Sequence, residues 1–483
     1  MNETISTLTP RRKAVVLVSC CLSLLIVSMD ATIVNVAIPS IRSDLGASPA
    51  QLQWVVDIYT LVLASLLMLS GAMGDRFGRR RIFQIGLTVF ALGSLLCSLA
   101  PGIDTLIAAR LLQAVGGSML NPVALSIISQ VFTGRVERAR ALGFWGAVVG
   151  ISMALGPTVG GLLIEYVSWR AVFWINLPIC AAAIILTALF VPETKSATMR
   201  NVDPIGQGLA VIFLFGVVFA LIEGPAMGWT NPRVLTMAAL ALVAFAGFLR
   251  FESRRHDPFI DLRFFRSVPF ASATVIAICA FSTWGAFLFM MSLYLQAERG
   301  FSAMHTGLIY LPIAIGALLF SPLSGRLVGR YGARPSLVAA GVLITLASFL
   351  LTFLTATTPI WALLVVFTVF GIGFSMVNAP ITNAAVSGMP LDRAGAASAV
   401  TSTSRQIGVS IGVALCGSVT GPTLLSAGVD FMSAARPLWF VCVGLGMVII
   451  VLSFTSTSRR ALASAQRLAP LIAGHQKATA HVG

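Results

Sequence analysis

Apolar residues run in blocks of about 20 from residue 14 to residue 456, separated by short polar links. A helix rises 1.5 Å per residue, so a block of about 20 crosses the hydrocarbon of a bilayer. No period-two alternation is present, which excludes a strand-built barrel. The pattern predicts fourteen spanning helices, at 14–39, 54–73, 82–100, 105–132, 141–164, 170–191, 204–224, 233–251, 268–294, 303–324, 335–355, 359–387, 396–420 and 436–456.

One polar link is repeated. Residues 71–81 (GAMGDRFGRRR) join the second and third blocks, and residues 325–334 (GRLVGRYGAR) join the tenth and eleventh. Glycine, arginine, aromatic, glycine and final arginine keep their spacing, while Gly329 stands where the first copy has Asp75. A repeat at this distance implies two related halves. The expected architecture is an all-α polytopic membrane protein of two six-helix lobes with two helices inserted between them. Its segments are an N-terminal stretch 1–13, a first lobe 14–191, a linker with the extra helices 192–266, a second lobe 267–456 and a tail 457–483. Arg11, Arg12 and Lys13 ahead of an apolar run resemble a secretory signal. That run is too long, contains Asp30 and lacks a small-residue cleavage site, so it is expected to be retained.

Composition agrees. Hydrophobic residues make up 57% of the chain and charged ones only 10%, where a soluble domain carries about 25% charged. The net charge of +15 is not a nucleic-acid footprint, because the cations sit in alternate links. Of the 32 Lys and Arg, 25 fall on the side of the N-terminus and five on the other. This bias predicts a multi-pass protein of the cell membrane with both termini cytoplasmic. The seven cysteines lie inside apolar blocks without ligand spacing, and the four histidines are scattered, so no metal site is expected. No phosphate-binding Gly-x4-Gly-Lys-Ser/Thr occurs and no catalytic constellation appears, which argues against an enzyme or a cofactor. The expected partners are the lipid bilayer and a small molecule, with no obligate protein partner evident.

Ionisable groups inside membrane helices are costly and therefore informative. Asp30, Asp57 and Arg110 fall in one layer of the predicted bundle and make a candidate proton site with coupled titrations. The alternative is that one Asp merely pairs with Arg110 to brace the helices. Glu165 and Glu223 lie at helix ends, where interfacial solvation suffices. Arg405 and Gln406, with Asn378 and Asn383, suggest the polar floor of a cavity or a conformational latch, and Gln113 is a further candidate cavity group. The fifth block carries Gly143, Ser152, Gly156, Pro157, Gly160 and Gly161. Proline bends a helix and glycine lets a neighbour approach, which suits a helix that rocks, or one that simply packs tightly. Phe259, Ile260, Phe264 and Phe265 are spaced for an amphipathic surface stretch, though an ordinary basic loop fits as well.

These motifs together resemble the major facilitator superfamily, specifically its fourteen-span drug:proton antiporter group, over about residues 14–456. They are Asp30 to Pro39 in the first block, Gly71 to Arg80, Arg110-Leu-Leu-Gln113, the fifth-block glycines with Pro157, and Trp169-Arg170 through Asn176-Leu-Pro178. Ala114 and Ser152 replace glycines usual in the family. The resemblance implies two lobes, a central cavity and alternating access. It implies that Gly71, Asp75, Arg76, Gly78, Arg79 and Arg80 form a gating loop, with Asp75, Arg76 and Arg80 pairing to the neighbouring half in the outward-facing state. Arg110 would serve proton coupling. Gly143, Gly156, Pro157, Gly160 and Gly161 would be the antiporter motif, a mark of export. The expected function is proton-coupled efflux of small amphipathic compounds, with protons as the coupling ion. A narrow exporter of a self-made antibiotic or metabolite shares the same motifs, and proton-symport uptake is the third reading. Trp284, Phe287, Phe289, Met290, Met291 and Tyr294 would line an apolar cavity, or else face core or lipid.

Overall fold

A computed structural model describes residues 9–194, 203–255, 261–386, 394–420, 431–458 and 460–467 except 462. Its helices are α1 Pro10–Leu45, α2 Pro49–Phe77, α3 Arg79–Ser98, α4 Ile103–Val131, α5 Arg135–Tyr166, α6 Ala171–Phe190 and α7 Pro204–Met227. They continue with α8 Pro232–Arg254, α9 Val268–Glu298, α10 Ala303–Tyr331, α11 Ala333–Leu351, α12 Ile360–Ala385, α13 Ala394–Thr420 and α14 Phe431–Ser456. No strand occurs among the described residues. Twelve of these helices are long and apolar enough to cross a membrane. The other two are α5, whose apolar part is Ile151–Tyr166, and α13, which is diluted by Thr401, Ser402, Thr403, Ser404, Arg405 and Gln406.

Local chemistry sets the boundaries. Gly46 ends α1 in a left-handed conformation at φ 62°. Ser48 and Gln51 then form a reciprocal cap, with Pro49 in the first turn of α2. The repeated turn has a backbone reason for its glycine. Gly78 lies at φ +110° and Gly332 at φ +79°, where side chains are strained. Several helices are broken. α6 is interrupted at Ile175, α9 finishes in a π-turn over Tyr294–Glu298, and α12 breaks at Met376 and Val377. The Met376 carbonyl accepts from Ser324 of α10 at 3.0 Å and Ser336 of α11 at 2.8 Å, which satisfies a backbone group that lipid could not.

The chain forms two compact units. The first holds residues 1–207 and 288–314, with a core running from Val16 and Cys20 through Tyr59, Phe83 and Phe90 to Leu120 and Val123. The second holds 208–287 and 315–483. Within it, Trp284 stacks on Phe374 at 4.3 Å and Phe287 on Phe370 at 4.1 Å, joining α9 to α12. Trp284, Phe287, Phe289, Met290, Met291 and Tyr294 are all buried. In the 252–266 stretch Phe264 is buried against Phe270 and Phe265 is exposed; Phe259 and Ile260 lie outside the described residues. So do Lys195, Arg200, His256, Arg393, Arg459, His475, Lys477 and His481.

Candidate functional site

Four helices of the first unit bring a closed polar cluster together. Arg110 and Gln113 lie three residues apart on α4 and therefore share a face. Asp30 comes from α1, Ser94 from α3 and Asn176 from the start of the second piece of α6, just after its break. Gly93 allows the close approach: a Cβ there would stand 2.5 Å from Gln113 Cα. Every member is at most 1% exposed.

Arg110 Nη1 forms an ion pair with Asp30 Oδ2 and donates to Gln113 Oε1 at 2.7 Å. Arg110 Nε donates to the Val55 carbonyl at 3.1 Å. The other carboxylate oxygen, Asp30 Oδ1, accepts from Gln113 Nε2 at 2.9 Å and from Asn176 Nδ2 at 3.1 Å. The same two amides also donate to Ser94 Oγ, at 2.8 and 3.3 Å. The Gln113 amide thus turns its oxygen to the cation and its nitrogen to the anion. The Arg110 guanidinium covers the Tyr59 ring at 4.2 Å, and Tyr59 donates its hydroxyl proton to the Val27 carbonyl at 3.2 Å. A buried charge pair is tolerated when further hydrogen bonds support it, and here Gln113, Asn176 and the Val55 carbonyl supply them from three helices.

Asp57 is fully buried on α2, two residues beyond Val55. Asp30 and Arg110 were legible as isolated charges in apolar blocks. Asn176 was visible only as part of the 176–178 motif, and Ser94 carried no signal, since buried serines are common in apolar helices.

The loop motif is held within the same unit. Asp75 pairs with Arg79 at 2.7 Å across the Gly78 turn. Arg80 Nη2 donates to the Ala188 carbonyl at 2.6 Å, and the Arg80 amide donates to Glu193 Oε1 at 3.2 Å. Glu193 thereby caps the start of α3, a role that the sequence reading did not assign. Arg76 lies over Phe77 at 5.5 Å, and Gly71 packs near Pro122.

The fifth-block glycines are contact points. A Cβ at Gly156 would collide with Thr32 Oγ1, and one at Gly160 would stand 2.6 Å from Ile33 Cγ1, so both set α5 against α1. Gly161 lies against the Ala303 carbonyl, and Thr158 donates to the Gly307 carbonyl at 2.9 Å. A Cβ at Gly307 would stand 2.6 Å from the Pro157 carbonyl oxygen. The packing of Gly143 lies outside the described residues. Ser152 is buried and donates to the Val148 carbonyl at 2.6 Å.

In the second unit Arg405 Nη2 donates to Thr382 Oγ1 at 2.7 Å and approaches the Phe281 ring at 5.9 Å. The expected neighbours differ in burial: Asn378 and Gln406 are half-buried and Asn383 is exposed. Gln113 belongs to the Asp30 cluster. At the far end of α1, Trp169 and Arg170 hydrogen-bond Asp44 at 2.9 and 2.7 Å, which holds its carboxyl below the usual range. No cluster of three or more metal-ligand side chains occurs among the described residues.

Membrane-length apolar helices around a desolvated, hydrogen-bonded ion pair define a multi-pass helical membrane protein. The sequence profile of the Major Facilitator Superfamily matches residues 20–413, and the chain belongs to that family of transporters. It is 37% identical over 411 residues to the multidrug resistance protein Stp of Mycobacterium tuberculosis, covering 85% of this chain and 76% of the relative. It is 36% identical over 405 residues to the tetracenomycin C resistance and export protein of Streptomyces glaucescens, covering 83% and 74%. Its fold is similar to the crystal structure of the human organic anion transporter MFSD10. The TM-score there is 0.61, at 15% identity, covering 92% of this chain and all of that one.

Proposed function

We propose that this protein exports small amphipathic compounds from the cytoplasm in exchange for protons, by alternating access. The observation that carries the reading is the closed cluster around Asp30 and Arg110 in the interior of the first unit. On this reading α5 and α13 also cross the bilayer, giving fourteen spans with both termini cytoplasmic. The names of the relatives, multidrug resistance and antibiotic export, support efflux.

Asp30 is the proton acceptor. As an anion it accepts from Arg110, Gln113 and Asn176 together. A proton arriving from the outside adds to a carboxylate oxygen and removes the charge that holds Arg110. The guanidinium then keeps only Gln113 Oε1 and the Val55 carbonyl as neutral acceptors. An uncompensated cation in a low-dielectric interior is costly, so it favours ionisation of a second acid, Asp57 on α2, whose proton is released to the cytoplasm. Moving the charge from one acid to the other biases α1, α2 and α4 between two arrangements. Asp75, with Arg79 across the Gly78 turn, acts as a gating residue at the cytoplasmic side. A second reading, a narrow exporter of one antibiotic, is favoured by the single compound in the name of the Streptomyces relative. A resistance panel in a host lacking its own pumps separates broad from narrow.

The test is Asp30→Asn in proteoliposomes. Wild type is expected to move protons when a drug gradient is imposed, and the variant to insert but lose that exchange. Normal drug–proton exchange by Asp30→Asn would overturn the assignment.

A further inference from the structure

The inserted helices α7 and α8 carry a feature that proton exchange does not use. An open groove of about 620 Å³ at their charged end is lined by Leu209 of α7 and by Gly247, Arg250, Phe251, Arg254 and Arg255 at the end of α8. Gly247, Arg250, Phe251 and Arg254 are spaced i, i+3, i+4 and i+7, so they share one face of α8. Gly247 makes the floor shallow: a Cβ there would only touch Leu209, at 3.5 Å.

The same face is apolar further along. Val243 is 68% exposed and Leu240 44%, and they lie one and two turns before Gly247. Only 17% of the most apolar window of α8 is buried, against 89% for α9. An apolar stripe open to the acyl chains therefore runs into a groove walled by guanidinium groups. Arg250 and Arg254 are exposed, and Arg255 lies over the Phe251 ring at 5.4 Å. Glu252, the acid within the last turn of α8, is buried and outside the lining.

Arginine at a helix C-terminus has a bland explanation, because the terminal carbonyls attract cations. That accounts for the residue type but not for a groove with an exposed apolar approach. We infer that the α7–α8 groove binds the phosphodiester headgroup of an anionic phospholipid, with one acyl chain lying along Leu240 and Val243. Basic pockets at helix ends recognise such headgroups through charge-assisted hydrogen bonds from arginine.

The experiment measures thermal unfolding of the purified full-length protein in neutral detergent. Dioleoyl phosphatidylglycerol, dioleoyl phosphatidylcholine or soluble glycerol 3-phosphate is titrated in. Phosphatidylglycerol is expected to raise the melting temperature saturably, and the other two to leave it unchanged. The double variant Arg250→Gln/Arg254→Gln should need roughly 30-fold more phosphatidylglycerol for the same shift, since each basic residue contributes about fivefold. Arg233→Gln, at the other end of α8, should titrate as wild type. Gly247→Leu fills the floor with both arginines in place and should also lose the shift, which keeps the test open if the double variant folds poorly. An equal shift with phosphatidylcholine or glycerol 3-phosphate would overturn the proposal. So would an Arg233→Gln effect as large as that of the double variant, because the cause would then be diffuse charge.

Discussion

At the residue scale the question is whether the buried pair braces the bundle or moves a proton. Both roles need the same contacts, so loss of exchange in a single variant does not by itself separate them. Breaking a buried pair on one side costs about 3–5 kcal/mol, because the other charge is left without compensation. Removing both charges avoids that penalty. The double variant Asp30→Asn/Arg110→Gln should therefore recover much of the thermal stability that Asp30→Asn loses. If the pair only braces, it should also recover transport; if Asp30 carries the proton, transport coupled to a pH gradient stays absent. Arg110→Lys is the complementary case. Lysine keeps the charge but lacks the planar fork that reaches Asp30, Gln113 and Val55 together. Coupled transport is expected to fall at least tenfold, measured as drug uptake into everted vesicles.

At the element scale the repeated turn shows how one sequence pattern serves two surroundings. Gly78 and Gly332 both need a positive φ, and that conformational demand explains why the repeat preserves them. Their neighbours differ. A Cβ at Gly78 would stand 2.6 Å from Glu193 Oε1, while one at Gly332 meets nothing within 4 Å. Gly332→Ala should cost only the backbone strain, on the order of 1–3 kcal/mol. Gly78→Ala should cost more, because it also displaces the carboxylate that caps α3 and accepts from the Arg80 amide. Thermal unfolding of the two variants side by side checks the order. The missing acid at Gly329 makes the same point: the first copy has an internal pair, Asp75 with Arg79, and the second has no acid at that position.

At the scale of the whole molecule, the proposed function requires the links that contain Arg76 to Arg81 and Arg250 to Arg255 to face the cytoplasm, as the charge bias predicts. All seven native cysteines are buried, so they provide a quiet background for labelling. A membrane-impermeant maleimide should label Ser43→Cys in intact cells and Ser253→Cys only after permeabilisation; the reverse would invert the topology. What the sequence determined by itself follows from the bilayer as solvent. Helical class, the duplicated turn and the costly charges at Asp30, Asp57 and Arg110 are all local properties, set by hydrocarbon thickness and by the price of desolvation. What only the tertiary structure decided are the partners. Ser94 and Asn176 join Asp30, Thr382 takes Arg405, and Trp284 and Phe287 stack on Phe374 and Phe370. In an apolar helix, sequence spacing assigns a residue to a face, but the neighbour of that face depends on which helices pack there. Those contacts are made by glycines such as Gly93, whose role appears only when two backbones meet.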